Sequence, residues 1–242
     1  MTALAHEPAR TTAATEATTV VDLARSSVRE LNQALHDPAH TSTQWLVRNP
    51  AGKHNIAVGI DRALTMTVEG NVGYFFAGMH KTAYITVTGN AGQGLAENIM
   101  SGRVHVKGDA SQAVAATGHG GLVVVDGNAS ARCGISMKGV DIVVGGNVGH
   151  MSAFMAQAGR LVVCGDAGDS LGDSLYETRI YVKGTVKSLG ADCVEKEMRT
   201  EHLAELAELL AAAGRDENPA DFRRYGSART LYHFHADNSA AY

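Results

Sequence analysis

Gly108-Asp109-Ala110-Ser111-Gln112-Ala113-Val114-Ala115-Ala116-Thr117-Gly118-His119-Gly120-Gly121-Leu122-Val123-Val124-Val125-Asp126, followed at once by Gly127-Asn128-Ala129, is one full unit of a repeat and the start of the next. Gly70, Gly89, Gly108, Gly127, Gly146, Gly165 and Gly184 stand 19 residues apart without one insertion or deletion. A period that strict means a single supersecondary unit stacked on itself. Each unit opens with Gly, then Asn or Asp, then Val or Ala, and only the last, Gly184-Thr185-Val186, departs from this. Gly and Asn tolerate positive φ at low cost, and an Asn side chain can bond its own turn, so each pair predicts a tight corner.

Later in each unit two alternate positions are always apolar: Ile85 and Val87, Val104 and Val106, Val123 and Val125, Ile142 and Val144, Leu161 and Val163, Ile180 and Val182. Alternation with period two and β-branched residues marks a strand with one face turned inward. Seven residues after each glycine the side chain is small throughout, as Ala77, Ala96, Ala115, Gly134, Ala153, Gly172 and Ala191, which places that column where opposite walls nearly touch. These columns predict an all-β solenoid, a right-handed parallel β-helix of about seven 19-residue coils, each coil returning one strand spacing of about 4.8 Å further along the axis. Helix-pair repeats need longer periods, and a leucine-rich horseshoe needs Leu and Asn columns that are absent. In the middle coils, at Leu122 to Val125, 142–144 and 161–164, the strand is apolar on both faces, so it needs cover outside the coil as well as inside. The chain's own terminal segments or a partner subunit would supply it. The outward residues Val124, Val143 and Val162 are therefore candidates for partner contact, together with the aromatic Phe222, Tyr225, Tyr232 and Phe234 of the C-terminal region.

The 242 residues, 45% hydrophobic with 27 Gly, fit one elongated domain. A formal charge of −4 and the absence of a basic tract argue against nucleic-acid binding. Residues 1–18 read as a disordered tail without the cationic start or apolar run of a secretory signal, and the chain reads as cytoplasmic, with no membrane segment. Residues 19–50 predict an N-terminal helix, with apolar residues from Val21 to Leu35 at helical spacing, and a strand leading into the coils. The β-helix domain is expected over 51–193. Residues 194–214 predict a helix that stops at Gly214 and caps the solenoid, and 215–242 predict a C-terminal tail. Cys133, Cys164 and Cys193, odd in number and far apart, predict reduced, packed thiols.

Catalytic templates fail one after another. Gly89-Asn90-Ala91-Gly92-Gln93-Gly94 has the glycines of a dinucleotide loop, but that loop needs a strand before it and a helix after it, whereas here the element leads into another coil. His233 and His235 alternate as two metal ligands could, without a third ligand at recognisable spacing, and His80, His105, His119 and His150 sit at differing offsets within their coils. Glu97, Asp173 and Asp192 share one column, but Ala116, Ile135 and Phe154 interrupt it, which does not suit a carboxylate-stacked lyase or hydrolase. Position 2 is Thr, where a glutamine amidotransferase would carry its nucleophilic Cys. This shifts the expected role toward scaffold and interface.

The Gly-Asn-Val/Ala corners with the element at Gly89, Gly92 and Gly94 resemble the GXGXG β-helix domain over residues 51–193. That domain forms the C-terminal part of the large subunit of glutamate synthase and occurs in one subunit of formylmethanofuran dehydrogenase. The stretch Met137-Lys138-Gly139-Val140-Asp141-Ile142-Val143-Val144-Gly145-Gly146-Asn147-Val148-Gly149-His150-Met151-Ser152 and the region 222–235 resemble more narrowly the stand-alone domain-3 subunits, as in the β-helix subunit of N-methylglutamate synthase, the methylamine-glutamate N-methyltransferase. The resemblance implies a hetero-oligomer in which an amidotransferase-like subunit and an FMN-binding, iron–sulfur synthase-like subunit carry the chemistry. It implies no catalytic, cofactor-binding or metal-binding residue in this chain. The same resemblance leaves room for an ammonia-using glutamate-synthase-like complex or a formyl-transferring complex.

Overall fold

The computed structural model describes residues 17–228, which form a parallel β-helix. Nine parallel strands lie side by side in chain order: β1 (Thr19–Asp22), β2 (Gln44–Arg48), β3 (Thr65–Glu69), β4 (Tyr84–Val87), β5 (Arg103–Val106), β6 (Leu122–Val125), β7 (Lys138–Val144), β8 (Ala158–Val163) and β9 (Arg179–Val182). From β3 to β9 each paired residue except Lys138 faces the one 19 further along, so Ile85, Val104, Val123, Ile142, Leu161 and Ile180 form one straight inward column. A second line of rungs joins Val72, Ala91, Ala110, Ala129, Val148, Ala167 and Val186. The two lines enclose a core that is filled by side chains from Leu23 at one end to Tyr225 at the other.

The corners differ from the sequence expectation in an informative way. Of the seven ladder glycines only Gly70 has a left-handed φ, of 122°. At the other six a Cβ would fall no more than 2.5 Å from the Oδ1 of the Asn or Asp one coil earlier. Glycine is required there by close approach, because that oxygen reaches across to the next coil instead of bonding its own turn. Asn71 Oδ1 accepts from the Asn90 N–H at 2.9 Å, Asn90 from Asp109 at 2.8 Å, and Asp109 from Asn128 at 2.7 Å. Asn128, Asn147 and Asp166 continue the series to Asn147, Asp166 and Thr185. Six rungs thus lock the coil spacing, and Thr185 ends the ladder by donating its hydroxyl to Asp166.

The column of small residues has a further reason beyond closeness. Ala77, Ala96, Ala115, Gly134, Ala153 and Gly172 are left-handed, with φ between 50° and 70°, and their side-chain positions are fully buried. A β-branched residue there would be strained as well as overpacked.

The ends are sealed by segments outside the strict period. The coil joining β2 to β3 spans 21 residues, since Trp45 faces Met66. The N-terminal helix starts later than its apolar spacing suggests. Val21 belongs to β1, while α1 (Val28–His36) begins behind a capping box in which the Glu30 N–H donates to Ser27 Oγ and the Ser27 N–H to Glu30. Leu31 and Leu35 enter the core, and Asn32 bonds the backbone of Asn55 and Ala57.

At the other end β10 (Cys193–Lys196), α2 (Thr200–Ala213) and β11 (Arg223–Ser227) follow the last coil. The free edge of β9 is closed by β11, antiparallel to it, with β10 outside. Part of the expected C-terminal tail is therefore strand. The helix after the coils is present and stops at the left-handed Gly214, but it covers the solenoid from the side.

His80 is a fully buried polar side chain in this core, its Nδ1 3.0 Å from the Ala77 carbonyl. Burial pushes its pKa below the ordinary histidine value, so the unfolded chain takes up this proton first. Stability present above pH 7 is thus lost as pH falls through about 6.5, by up to about 1.4 kcal/mol per pH unit for one such group. Urea midpoints measured between pH 7.5 and 5.5 should fall less steeply in His80→Leu than in the parent chain.

Candidate functional site

The outward faces of β6, β7 and β8 are the expected partner surface, and the chain covers them itself. Val124, Val143 and Val162 are fully buried and Phe222 nearly so, in a cluster with Leu206, Leu209, Leu210 and Ala213 of α2. An apolar strand face and the apolar side of a helix leave water together, so the helix brought back by β10 satisfies the requirement that the doubly apolar strands impose. Tyr225 turns inward and belongs to the core of the coils. Tyr232 and Phe234, like His233 and His235 and the residues 1–16, lie outside the described residues.

Polar contacts fix the position of α2. Arg103 Nη1 donates to the Ala212 carbonyl at 2.7 Å, near the last turn. The Tyr181 hydroxyl donates to Glu205, which also meets Arg179 at 3.2 Å and Arg160 at 3.8 Å. Burial, then the bond to Glu205, pushes the Tyr181 pKa up. Beneath Glu205, Arg160 and Asp141 form a two-point ion pair, Nε to Oδ1 at 2.8 Å, with side chains only 12% and 8% exposed. The hydrogen bonds that Arg160 donates to Asp141 raise its pKa further.

This pair floors a cleft of about 660 Å³ whose rim carries His119, Lys138, Glu177, Arg179 and Glu208. The cleft exists because β7 and β8 start earlier than their neighbours, with a register shift between Lys138 and Asp141. Gly139 and Gly159, at φ 143° and 98°, allow the extra length. These two strands are longer than the others among the described residues.

A second surface lies on the wall between the Gly-Asn corner and the strand. There the backbone alternates through left-handed residues, and the coils bond in register: Phe75 N–H to Gln93 O, Gly94 to Gln112, Ala113 to Ala131, Arg132 to His150. Tyr74, Phe75 and Met79 on one coil are 50%, 42% and 53% exposed, and Met155, four coils on, is 45% exposed. Phe75, Met79 and Met155 are all held at φ between 51° and 56°. Bulky residues rarely take this conformation, at a cost of about 1 kcal/mol each.

No protein-family model matches the sequence. Protein GlxC of Rhizobium meliloti (strain 1021) is 60% identical to it over 226 residues, an alignment that covers 92% of this chain and 99% of the relative. The chain belongs to the GlxC family.

In this GlxC-family chain the histidines named from the sequence do not converge. His80 is in the core, His105 pairs with Asp126 at 2.8 Å on the outer face, His119 rims the cleft, and His150 is exposed on the wall, in the column of Tyr74. Among the described residues no three His, Cys, Asp or Glu side chains are grouped to hold a metal ion, and no helix is long and apolar enough to cross a membrane. Cys133, Cys164 and Cys193 are free thiols. Burial pushes Cys133 and Cys164 up to about 12 and Cys193 to about 11, the Glu217 carboxylate adding to the effect at Cys164. The Gly89 to Gly94 loop runs into the next coil, as its repetition suggested.

Sequence reasoning missed the exposed wall. Its signal lay in the same alignment of units: five and nine residues after the glycine, one coil has Phe75 and Met79 and another Met151 and Met155, where the coils between have Gly94, Asn98, Ala113, Thr117, Arg132 and Ser136.

Proposed function

We propose that this chain is the non-catalytic scaffold subunit of a glutamate-synthase-like complex, and within that class of N-methyl-L-glutamate synthase, which converts methylamine and L-glutamate to N-methyl-L-glutamate and ammonia. The reading rests on the resemblance of the coils to the GXGXG domain and of residues 137–152 and 222–235 to its stand-alone form. The observation that carries it is mechanical. A rod filled along its whole length by one apolar core, with coil spacing held by six side-chain rungs, is a stiff spacer. Such a body suits the bracing of an amidotransferase-like subunit against an FMN- and iron–sulfur-binding synthase-like subunit, both of which would bring their own reacting groups.

Reconstitution tests the proposal. The purified chain should show no turnover of methylamine and glutamate alone. Mixed with the two partner subunits it should raise N-methylglutamate formation over that of the partners without it, while flavin absorbance stays with the synthase-like chain. Turnover by the isolated chain overturns the scaffold role. Faster use of ammonia than of methylamine by the full complex would move the chain to an ammonia-using glutamate synthase.

A further inference from the structure

We propose that the cleft floored by Arg160 and Asp141 binds a zwitterionic α-amino acid, held between Arg160 and Glu205. The inference concerns this cleft alone and stands whether or not the chain is the scaffold subunit proposed above.

The Arg160 side chain is only 12% exposed, and Asp141 accepts from its Nε and Nη2. A guanidinium has five N–H donors, so those of Nη1 remain. Nη1 stands 3.8 Å from Glu205 Oε2, beyond hydrogen-bond reach, and donates to nothing among the described residues. Glu205 mirrors this. The Tyr181 hydroxyl and Arg179 Nε both meet its Oε1, while Oε2 accepts no hydrogen bond among the described residues. Neither atom is sealed from solvent, since the sealed side-chain atoms without a partner among the described residues are His80 Nε2 and Thr178 Oγ1. A donor and an acceptor of opposite charge thus stand side by side, unspent, in a cleft that both residues line.

Both groups are held in place before any ligand arrives. Arg160 is fixed by Asp141 on the neighbouring strand, and Glu205 by Tyr181 and Arg179 of β9, so little ordering cost remains for binding. An anion alone would satisfy Arg160 and strip water from Glu205 Oε2 without replacing it, and a cation alone would do the reverse. A ligand that carries both charges close together satisfies the two atoms at once. A carboxylate oxygen within reach of Nη1 and an ammonium within reach of Oε2 are close enough to be joined through one carbon, which is the arrangement of an α-amino acid. At the rim Lys138 and Glu208 add one charge of each sign, both exposed and neither ion-paired among the described residues. The volume of about 660 Å³ suits a small molecule, for which sites of about 300–1,000 Å³ are usual.

Titration of the ¹⁵N-labelled full chain with L-alanine, L-glutamate and L-lysine, followed by backbone amide shifts, tests the proposal. At least one of the three should bind saturably, with a dissociation constant on the order of 1 mM. The amides of residues 158–160 and 205–208 should move, and those of 74–79 on the wall should not. Acetate and methylammonium, each carrying half of the zwitterion, should bind at least about tenfold more weakly. Glu205→Gln keeps an acceptor for Tyr181 but removes the charge, and should weaken binding by at least about tenfold with the circular dichroism of the parent. If that variant does not fold, the position of the shifted amides in the parent chain decides. The proposal is overturned if none of the amino acids saturates below about 50 mM, or if the shifts fall outside the cleft. It is equally overturned if acetate or methylammonium binds as tightly as the best amino acid, or if a folded E205Q binds as the parent does.

Discussion

Truncating Arg160 to alanine should destabilise the chain by about 3–5 kcal/mol, the largest effect expected of any single surface-directed side chain. Arg160 satisfies Asp141 at two points in a site where that carboxylate is only 8% exposed. Removing the guanidinium leaves a negative charge that water reaches poorly, and withdraws the 3.8 Å contact to Glu205 on α2. The loss should therefore exceed what a surface pair gives, which is about 1 kcal/mol or less. The companion variant Asp141→Leu/Arg160→Met removes both charges and should recover most of the stability. Urea unfolding of the two variants checks this. A double variant as unstable as Arg160→Ala would mean that the pair acts through α2 and not through its own desolvation.

Gly165→Ala should cost about 3 kcal/mol and lower the melting temperature by roughly 10 °C. The added Cβ would stand 2.7 Å from the carbonyl carbon and oxygen of Gly146, and closer still to Asn147 Oδ1. The side-chain oxygen can swing away only by giving up its bond to the Asp166 N–H, and the Gly146 backbone can retreat only by opening the coil spacing. Gly214→Ala is the matched control. A Cβ there meets nothing within 4 Å, and only the left-handed φ of 75° resists it, so a loss near 1 kcal/mol is expected. A loss at Gly165 no greater than that at Gly214 would show that the neighbouring coil yields to the added Cβ and that close approach does not require glycine there.

That contrast also shows how far the repeat could be read without coordinates. The 19-residue spacing, the inward columns from Ile85 to Ile180 and the small column from Ala77 to Gly172 were all legible, because each is a local requirement imposed again by every coil. The direction of the Asn ladder was not. An amide can bond its own turn or the next coil with equal chemistry, and only the distance between coils decides. The capping box at Ser27 and Glu30 stood in the sequence, yet the apolar spacing from Val21 suggested an earlier helix, because a strand and a helix share apolar positions over so short a run.

The candidate surfaces divide in the same way. That the middle strands need an outer cover follows from their residues alone, since Val124, Val143 and Val162 cannot stay in water at little cost. What covers them does not. An apolar helix face carries no address, and α2 could have served the end of the rod or another chain until its path from β10 placed Leu206 and Leu209 over those valines. The large apolar side chains that stay exposed, among them Tyr74, Phe75 and Met155, stand on a different wall, which no periodicity of the core would mark. Sequence by itself determined the solenoid, because stacking repeats the same short-range contacts. Tertiary structure alone decided which apolar faces the chain hides, because that choice depends on where one unrepeated helix comes to rest.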